Sequence, residues 1–302
     1  MKAITIFWQF SRPHTIIGSV ISIVTLYTVA LDGLAFTTNL PLLILAIICG
    51  ICCNVFIVGI NQIQDVAIDK INKPYLPIAS GALSIKNAYR IIYTCTFISI
   101  AIAAYISFVL LGVIALSLLI GMAYSLPPFY FKKHHLPAAI CISVVRGLLV
   151  NLGGFYVFKD QLYGQAVISG NVWLLTLFIV AFSISIAWFK DLPDIAGDAK
   201  YNIKTLAILY SPKFAFYCGT TLVATAYLFN LYFNWFDAAL IVKSEYAVPS
   251  RLFYGHLILF TLFIINAFTI NFKSNQSVVR FYKRFWLFFF AEYLLYFIAF
   301  IF

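Results

Sequence analysis

Hydrophobic residues fall in nine long runs separated by short polar breaks, at about 14–31, 41–61, 88–106, 109–126, 137–158, 171–189, 213–233, 252–271 and 285–302. Stretches such as Leu40 to Gly59 and Trp286 to Phe302 hold almost no charge. A helix needs about 20 predominantly apolar residues to cross the hydrocarbon of a bilayer. The pattern therefore predicts an all-α fold, a polytopic transmembrane bundle of about nine helices around a central cavity. The third and fourth runs nearly touch around Ser107 to Leu111, which calls for a very tight hairpin. Residues 1–11 form an apolar, partly amphipathic lead-in suited to the membrane interface. Arg12-Pro13-His14 interrupts the start and no small-residue cleavage site follows, so these residues do not read as a cleavable signal. With no linker, low-complexity tract or soluble appendage between the runs, a single membrane-embedded domain is expected over 1–302.

Composition sharpens the choice of solvent. The chain is 63% hydrophobic, 18% aromatic and 10% charged, against about 25% charged residues in a soluble domain. The net charge of +10 does not point to nucleic acid, because the basic residues are spread between apolar segments. Topology explains them better. With the N-terminus in the cytosol, the inside receives Lys2, Arg12, Lys70, Lys73, Lys86, Arg90, Lys132, Lys133, Lys190, Lys200, Lys204, Lys213, Lys273, Arg280, Lys283 and Arg284. Only Lys159, Lys243 and Arg251 fall outside, and Arg146 lies within a helix. Sixteen against three is the bias of the positive-inside rule, and one helix fewer would largely cancel it. The six cysteines sit in apolar stretches and behave as small apolar residues. The Cys49-x-x-Cys52 spacing has no second pair, so neither a metal nor a disulfide is implied.

Acidic residues change the picture from a membrane bundle to a site. Asp32, Asp160, Asp237 and Glu245 are single and fall outside. Five of the ten acidic residues instead form two short clusters on the positive-inside face, where the second and sixth helices reach the interface. The first spans Asn61, Asp65 and Asp69, four residues apart and hence on one face of a helix. The second spans Asp191, Asp194 and Asp198, where Pro193 argues against a regular helix. Carboxylates roughly 6 Å apart repel by about 3 kcal/mol per pair at an effective dielectric of 20, so beside lipid they need cations. Oxygen-only ligands suit Mg²⁺, which binds through one or two carboxylates plus substrate phosphate. Two facing clusters could hold a diphosphate between bridging Mg²⁺ ions, with nearby lysines taking the remaining charge. The bland alternative is a pair of solvated clusters neutralised by Lys70, Lys73, Lys190 and Lys200. In a lipid-embedded bundle, the diphosphate expected is that of a polyprenyl donor. Some of the 31 Phe, 19 Tyr and 5 Trp would then steady an allylic cation.

At these clusters the sequence resembles the UbiA superfamily of intramembrane aromatic prenyltransferases. Asn61, Asp65 and Asp69 match the family's N-x-x-x-D-x-x-x-D motif, and Asp194 and Asp198 its D-x-x-x-D motif, with Asp191 in the extended K-D-x-x-D-x-x-G-D form. The homogentisate prenyltransferase branch is the most similar. The resemblance there rests on Arg12-Pro13-His14-Thr15, Asn61-Gln62, Asn72 to Pro77, Val145-Arg146-Gly147 with Asn151, and Lys190 to Asp198. It implies transfer of an isoprenoid from its diphosphate to an aromatic acceptor, homogentisate with loss of its carboxylate. It also implies Mg²⁺ held by Asn61, Asp65 and Asp69 and a second ion held by Asp191, Asp194 and Asp198. Lys73, Tyr124, Lys132 and Lys190 would grip the phosphates. The Tyr124-Ser125-Leu126-Pro127-Pro128 loop with Lys132 resembles an element of the family. Arg146 is expected to bind the acceptor carboxylate or the diphosphate, with Arg12 second; the competing reading pairs Arg146 with Glu292 or a helix carbonyl. Asn151 joins the substrate-binding set.

His134 and His135 read as part of a basic turn, and His256 as isolated. Another acceptor (4-hydroxybenzoate, a dihydroxynaphthoate, chlorophyllide or haem) is the main alternative within the enzyme class. A transporter is the rival from another class, though its charges would be expected near the midplane. The expected partners are the prenyl diphosphate, a small aromatic acceptor and the lipid bilayer, with no nucleic acid and no obligate protein partner.

Overall fold

A single residue, Ser107, separates the third and fourth hydrophobic runs. Its extended backbone (φ −168°) lets its N–H close the preceding helix on Ala103 O at 3.0 Å, while its hydroxyl accepts from Leu110 N at 3.1 Å and caps the next. The tight hairpin read from the sequence is thus a shared cap. The structure is a computed structural model that describes residues 3–165, 167–240 and 247–302. Lys2, Lys243, Glu245 and the side chain of Asp237 lie outside what it describes.

In chain order the helices are α1 (Ala3–Phe10), α2 (Pro13–Leu31), α3 (Leu40–Gln64), α4 (Val66–Asn72), α5 (Ile85–Ile106), α6 (Phe108–Ser125) and α7 (His135–Ser143). A π-helical stretch, Val144–Gly153, joins α7 to α8 (Gly154–Tyr163). There follow α9 (Gly170–Phe189), α10 (Ile195–Lys200), α11 (Leu206–Leu209), α12 (Pro212–Leu240), α13 (Ala247–Phe268) and α14 (Asn275–Ile301). With His135–Tyr163 counted as one span, nine helices among the described residues are long and apolar enough to cross a membrane. The last begins ten residues before the apolar run does, because Arg280, Lys283 and Arg284 extend the helix beyond the hydrocarbon. Hydropathy marks the membrane boundary there, not the helix end.

Two apolar clusters hold the bundle. One is largely aromatic and joins α2, α8, α9 and α12–α14, with Phe182 stacked on Phe285 at 4.1 Å. The other joins α2, α3, α5 and α6 around Phe56 and Ile92. Outward residues such as Phe97, Tyr105, Phe108 and Phe268 are exposed, as lipid-facing positions must be. α1 leaves Ile4, Phe7 and Trp8 exposed and buries Phe10, the amphipathic behaviour expected of the lead-in.

The structure corrects two sequence readings here. His256 on α13 is not isolated: its Nε2 lies 2.8 Å from Glu292 Oε1 on α14, both side chains fully buried. Glu292 is therefore no partner for Arg146. The two residues are separated by 36 positions and by the polar break between α13 and α14, so no local spacing links them.

Candidate active site

The end of α3 carries the first acidic cluster. Its hydrogen bonding runs on into α4, with Asp65 N to Asn61 O at 3.0 Å and Asp69 N to Asp65 O at 2.7 Å. Asp65 itself departs from helical geometry (φ −96°, ψ 14°) and is the joint between the two helices. The continuous helical face expected for Asn61, Asp65 and Asp69 is therefore bent at its middle residue. In the second cluster Pro193 has the expected effect. Residues 190–194 form a turn, Asp194 precedes α10, and Asp198 lies in its first turn, where a negative charge suits the helix dipole.

Asn72, which spacing alone did not single out, fastens the clusters together. Its Nδ2 donates to Asp194 O at 2.9 Å and to Asp198 Oδ1 at 3.3 Å, and its Oδ1 accepts from Gly197 N at 2.9 Å. A Cβ at position 197 would stand 2.5 Å from Asn72 Oδ1, so the glycine in the Lys190 to Asp198 stretch allows this approach. The only available sequence signal was the place of Asn72 at the head of the Asn72 to Pro77 segment.

Three lysines complete the walls. Lys132 Nζ donates to Asp65 Oδ1 at 2.5 Å, Lys190 Nζ to Asp191 Oδ1 at 2.5 Å, and Lys73 to Asp194. Asn61 Nδ2 donates to the other oxygen of Asp65 at 3.1 Å. Arg12 reaches the same recess from the left-handed backbone (φ 52°) that separates α1 from α2, a strained conformation for a non-glycine residue. A polar recess of about 540 Å³ is lined by Arg12, Asn61, Asp65, Asp69, Lys73, Tyr124, Lys132, Lys190, Asp191, Asp194 and Asp198. Two expected site residues are elsewhere. Asn151 is fully buried, accepts from the Tyr293 hydroxyl at 2.8 Å and does not line the recess. Arg146 lines a second, mainly apolar cavity of about 950 Å³. That cavity continues along the same helices, from Gly18 on α2 and Ile57 on α3, about one turn beyond the polar recess.

Charge balance in the recess is uneven. Asp65, Asp191 and Asp194 each have a lysine, whereas Asp69 and Asp198 have none. Burial pushes the Asp69 carboxyl up to about 6, against the pull of Arg12 and Lys73. Burial, with Asp191 and Asp194 beside it, pushes Asp198 up to about 7. Burial also holds the Lys132 ammonium below the ordinary lysine range, although Asp65 works against it. At Lys73 burial is the largest single influence and has the same sense, but the charge and hydrogen bond of Asp194, with the charge of Asp69, together outweigh it and the group is raised.

These residues fit Mg²⁺. Asp69 Oδ2 is buried without a hydrogen-bond partner, and Asp69 and Asp198 are two carboxylates without a cation, one per cluster. Among the described residues no three His, Cys, Asp or Glu side chains form a ready-made cage. Mg²⁺ takes one or two carboxylates and completes its shell with phosphate and water, so Asp69 and Asp198 are sufficient protein ligands for it.

A recess with fixed charges of both signs, at the mouth of an apolar cavity inside a lipid-embedded bundle, suits a ligand with an anionic head and a hydrocarbon tail. That is the class of intramembrane prenyltransferases. Residues 19–291 match the model of the UbiA prenyltransferase family, and the chain belongs to that family. It is 38% identical over 303 residues to homogentisate phytyltransferase of Synechocystis sp., covering 98% of this chain and 96% of the relative. It is 32% identical over 297 residues to homogentisate phytyltransferase 1, chloroplastic, of Arabidopsis thaliana, covering 96% of this chain and 74% of that one. Its fold is that of a UbiA homologue from Archaeoglobus fulgidus whose structure has GPP and Mg²⁺ bound (TM-score 0.66, 18% identity, 96% of this chain and 99% of that one).

Proposed function

We propose that this protein transfers an isoprenoid from a prenyl diphosphate to homogentisate, with Mg²⁺, in a single membrane-embedded domain spanning residues 1–302. The observation that carries this reading is the pair of acidic clusters tied by Asn72 beside an apolar cavity. The similarity to homogentisate phytyltransferases supports the acceptor. In this reading the bond between the prenyl carbon and the diphosphate oxygen breaks and pyrophosphate leaves. A ring carbon bonds to the prenyl carbon and loses its proton. The acceptor's carboxylate departs as CO₂, and a proton takes its place on the former methylene carbon.

Asp69 and Asp198, with Asn61, Asp65, Asp191 and Asp194 around them, would hold Mg²⁺. The bound ion would supply positive charge to the departing diphosphate. Lys73, Lys132, Lys190, Arg12 and the Tyr124 hydroxyl line the recess and would grip the phosphate oxygens as their carboxylate partners turn to the metal. Arg146 would take the acceptor's carboxylate. The positive-inside bias supports a cytosolic N-terminus, with the acidic recess on the same face. Another aromatic acceptor would leave the donor chemistry unchanged, whereas a transporter would leave the two aspartate motifs without a task.

The test is a panel of acceptors and prenyl diphosphates on membranes containing the protein, with Mg²⁺ or with EDTA, scored by product mass. A Mg²⁺-dependent, prenylated and decarboxylated homogentisate is expected. Product only with another acceptor would move the substrate, and absence of both product and pyrophosphate release with every pair would overturn the reading.

Metal affinity should also depend on pH. Asp69 and Asp198 bind protons more tightly in the folded protein than ordinary carboxylates do, so protons compete with the ion as pH falls through about 7 and then 6. Between pH 8 and pH 6 the Mg²⁺ dissociation constant of the solubilised protein should rise on the order of twentyfold. Calorimetry checks this, and a constant affinity across that range would remove these two carboxylates from the metal site.

A further inference from the structure

The apolar cavity contains an amide that the chemistry above does not use. Asn54, on α3, lies seven residues before Asn61 and lines the cavity at the end nearer the polar recess. Its Nδ2 donates to Thr15 Oγ1 at 2.9 Å, and that hydroxyl spends its own proton on Arg12 O at 2.8 Å. Thr15 Oγ1 can therefore only accept from the amide, which fixes which side of the amide faces α2. No described group donates to Asn54 Oδ1, leaving it as a fixed acceptor toward the cavity. The hydroxyls of Ser19, Ser22 and Ser117, which line the same cavity, all give their protons to carbonyls of their own helices at 2.7–3.0 Å. Arg146, from the π-helical stretch, lines this cavity too, its guanidinium lying over Trp286 and Phe289. Trp286 also meets His14, one residue before Thr15. A mainly apolar cavity with an oriented acceptor and a cation is the pattern of a site for a small, polar-edged aromatic molecule.

We propose that Asn54 selects the acceptor by accepting a hydrogen bond from one of its ring hydroxyls, with Thr15 as the positioning residue that holds the amide. This rests on the prenyl-transfer reading and adds the group that recognises the hydroxyl. A donated phenolic hydrogen bond also enriches the ring that must attack the prenyl carbon. A buried acceptor built for a hydroxyl rejects a molecule lacking it, because the acceptor is then left unpaired.

The experiment measures kcat/KM for homogentisate, for 2-hydroxyphenylacetate and for 3-hydroxyphenylacetate, which lack one or the other ring hydroxyl, in the purified wild type, Asn54→Leu and Thr15→Val. Intrinsic differences in ring reactivity are common to all three proteins and cancel in the ratios. Asn54→Leu should lose about tenfold to hundredfold of the wild-type preference for homogentisate over one of the two analogues. The KM for the prenyl diphosphate should stay within twofold. Thr15→Val, which keeps the bulk of the clamp, should shift the same ratio in the same direction. An unchanged ratio in both variants, or an equal loss toward all three acceptors, would overturn the role of Asn54. A wild type that prenylates none of the three would overturn the acceptor class itself, which separates the two failures.

Discussion

Asp69→Asn is expected to lower prenyl transfer on the order of a thousandfold while leaving the thermal midpoint of the solubilised protein unchanged or raised. The two halves of that result have one cause. Asp69 is 5% exposed, has no lysine of its own, and one of its oxygens is buried without a partner. Burial lifts its carboxyl to about 6 in the folded protein from 3.8. The folded state therefore binds this proton more tightly than the unfolded state, and stability contributed by the group is present below pH 3.8 and lost as pH rises to 6. Near neutral pH the unpaired charge costs the fold up to about 3 kcal/mol, taking 1.36 kcal/mol per pKa unit. Asparagine keeps the shape and removes that cost. It also removes the charge that would hold Mg²⁺, so activity and stability should move in opposite directions. Asp65→Ala gives a poorer experiment, since it strands the buried Lys132 ammonium as well. Near-normal turnover in Asp69→Asn would take this residue out of the metal set.

The order of these residues along the chain foretold the recess, and the reason is physical. Four-residue spacing is local, so Asn61, Asp65 and Asp69 come together whatever the rest of the bundle does, even with the bend at Asp65. The hydrophobic runs are equally local, and they foretold the number of spans. What the sequence hid is pairing across the bundle. Lys132 meets Asp65 over 67 positions and Lys73 meets Asp194 over 121. Asn54 meets Thr15 over 39, and His256 meets Glu292 over 36. In a soluble protein, apolar stripes would announce which faces meet. Here lipid and core are both apolar, and Phe97 facing out and Phe182 facing in are the same residue type. Asn151 entered the substrate set through the resemblance carried by Val145-Arg146-Gly147, and its pairing with Tyr293, 142 positions away, is equally invisible to local spacing.

Arg146→Gln is the second large effect expected, raising the KM for homogentisate about tenfold to hundredfold, the worth of a charge-assisted hydrogen bond. The KM for the prenyl diphosphate should stay within twofold. A cation within a transmembrane helix costs roughly 2.5–3.5 kcal/mol on insertion scales. Its faces against Trp286 (4.8 Å) and Phe289 (5.0 Å) return on the order of 1–2 kcal/mol by cation–π attraction. No carboxylate or carbonyl among the described residues supplies the rest, since Glu292 belongs to His256. The guanidinium edge is therefore free for an anion entering the cavity it lines. Arg146→Lys should not rescue the loss, because an ammonium neither offers a planar face to the rings nor presents a two-pronged donor to a carboxylate. A stabilising role and a binding role then separate cleanly in one comparison. Hydroquinone, which shares the ring hydroxyls but has no carboxylate, should be a far poorer acceptor than homogentisate for the wild type and nearly its equal for Arg146→Gln. If the variant keeps the wild-type preference and only melts earlier, the guanidinium serves the packing of Trp286 and Phe289, and the acceptor's carboxylate must be held by Arg12.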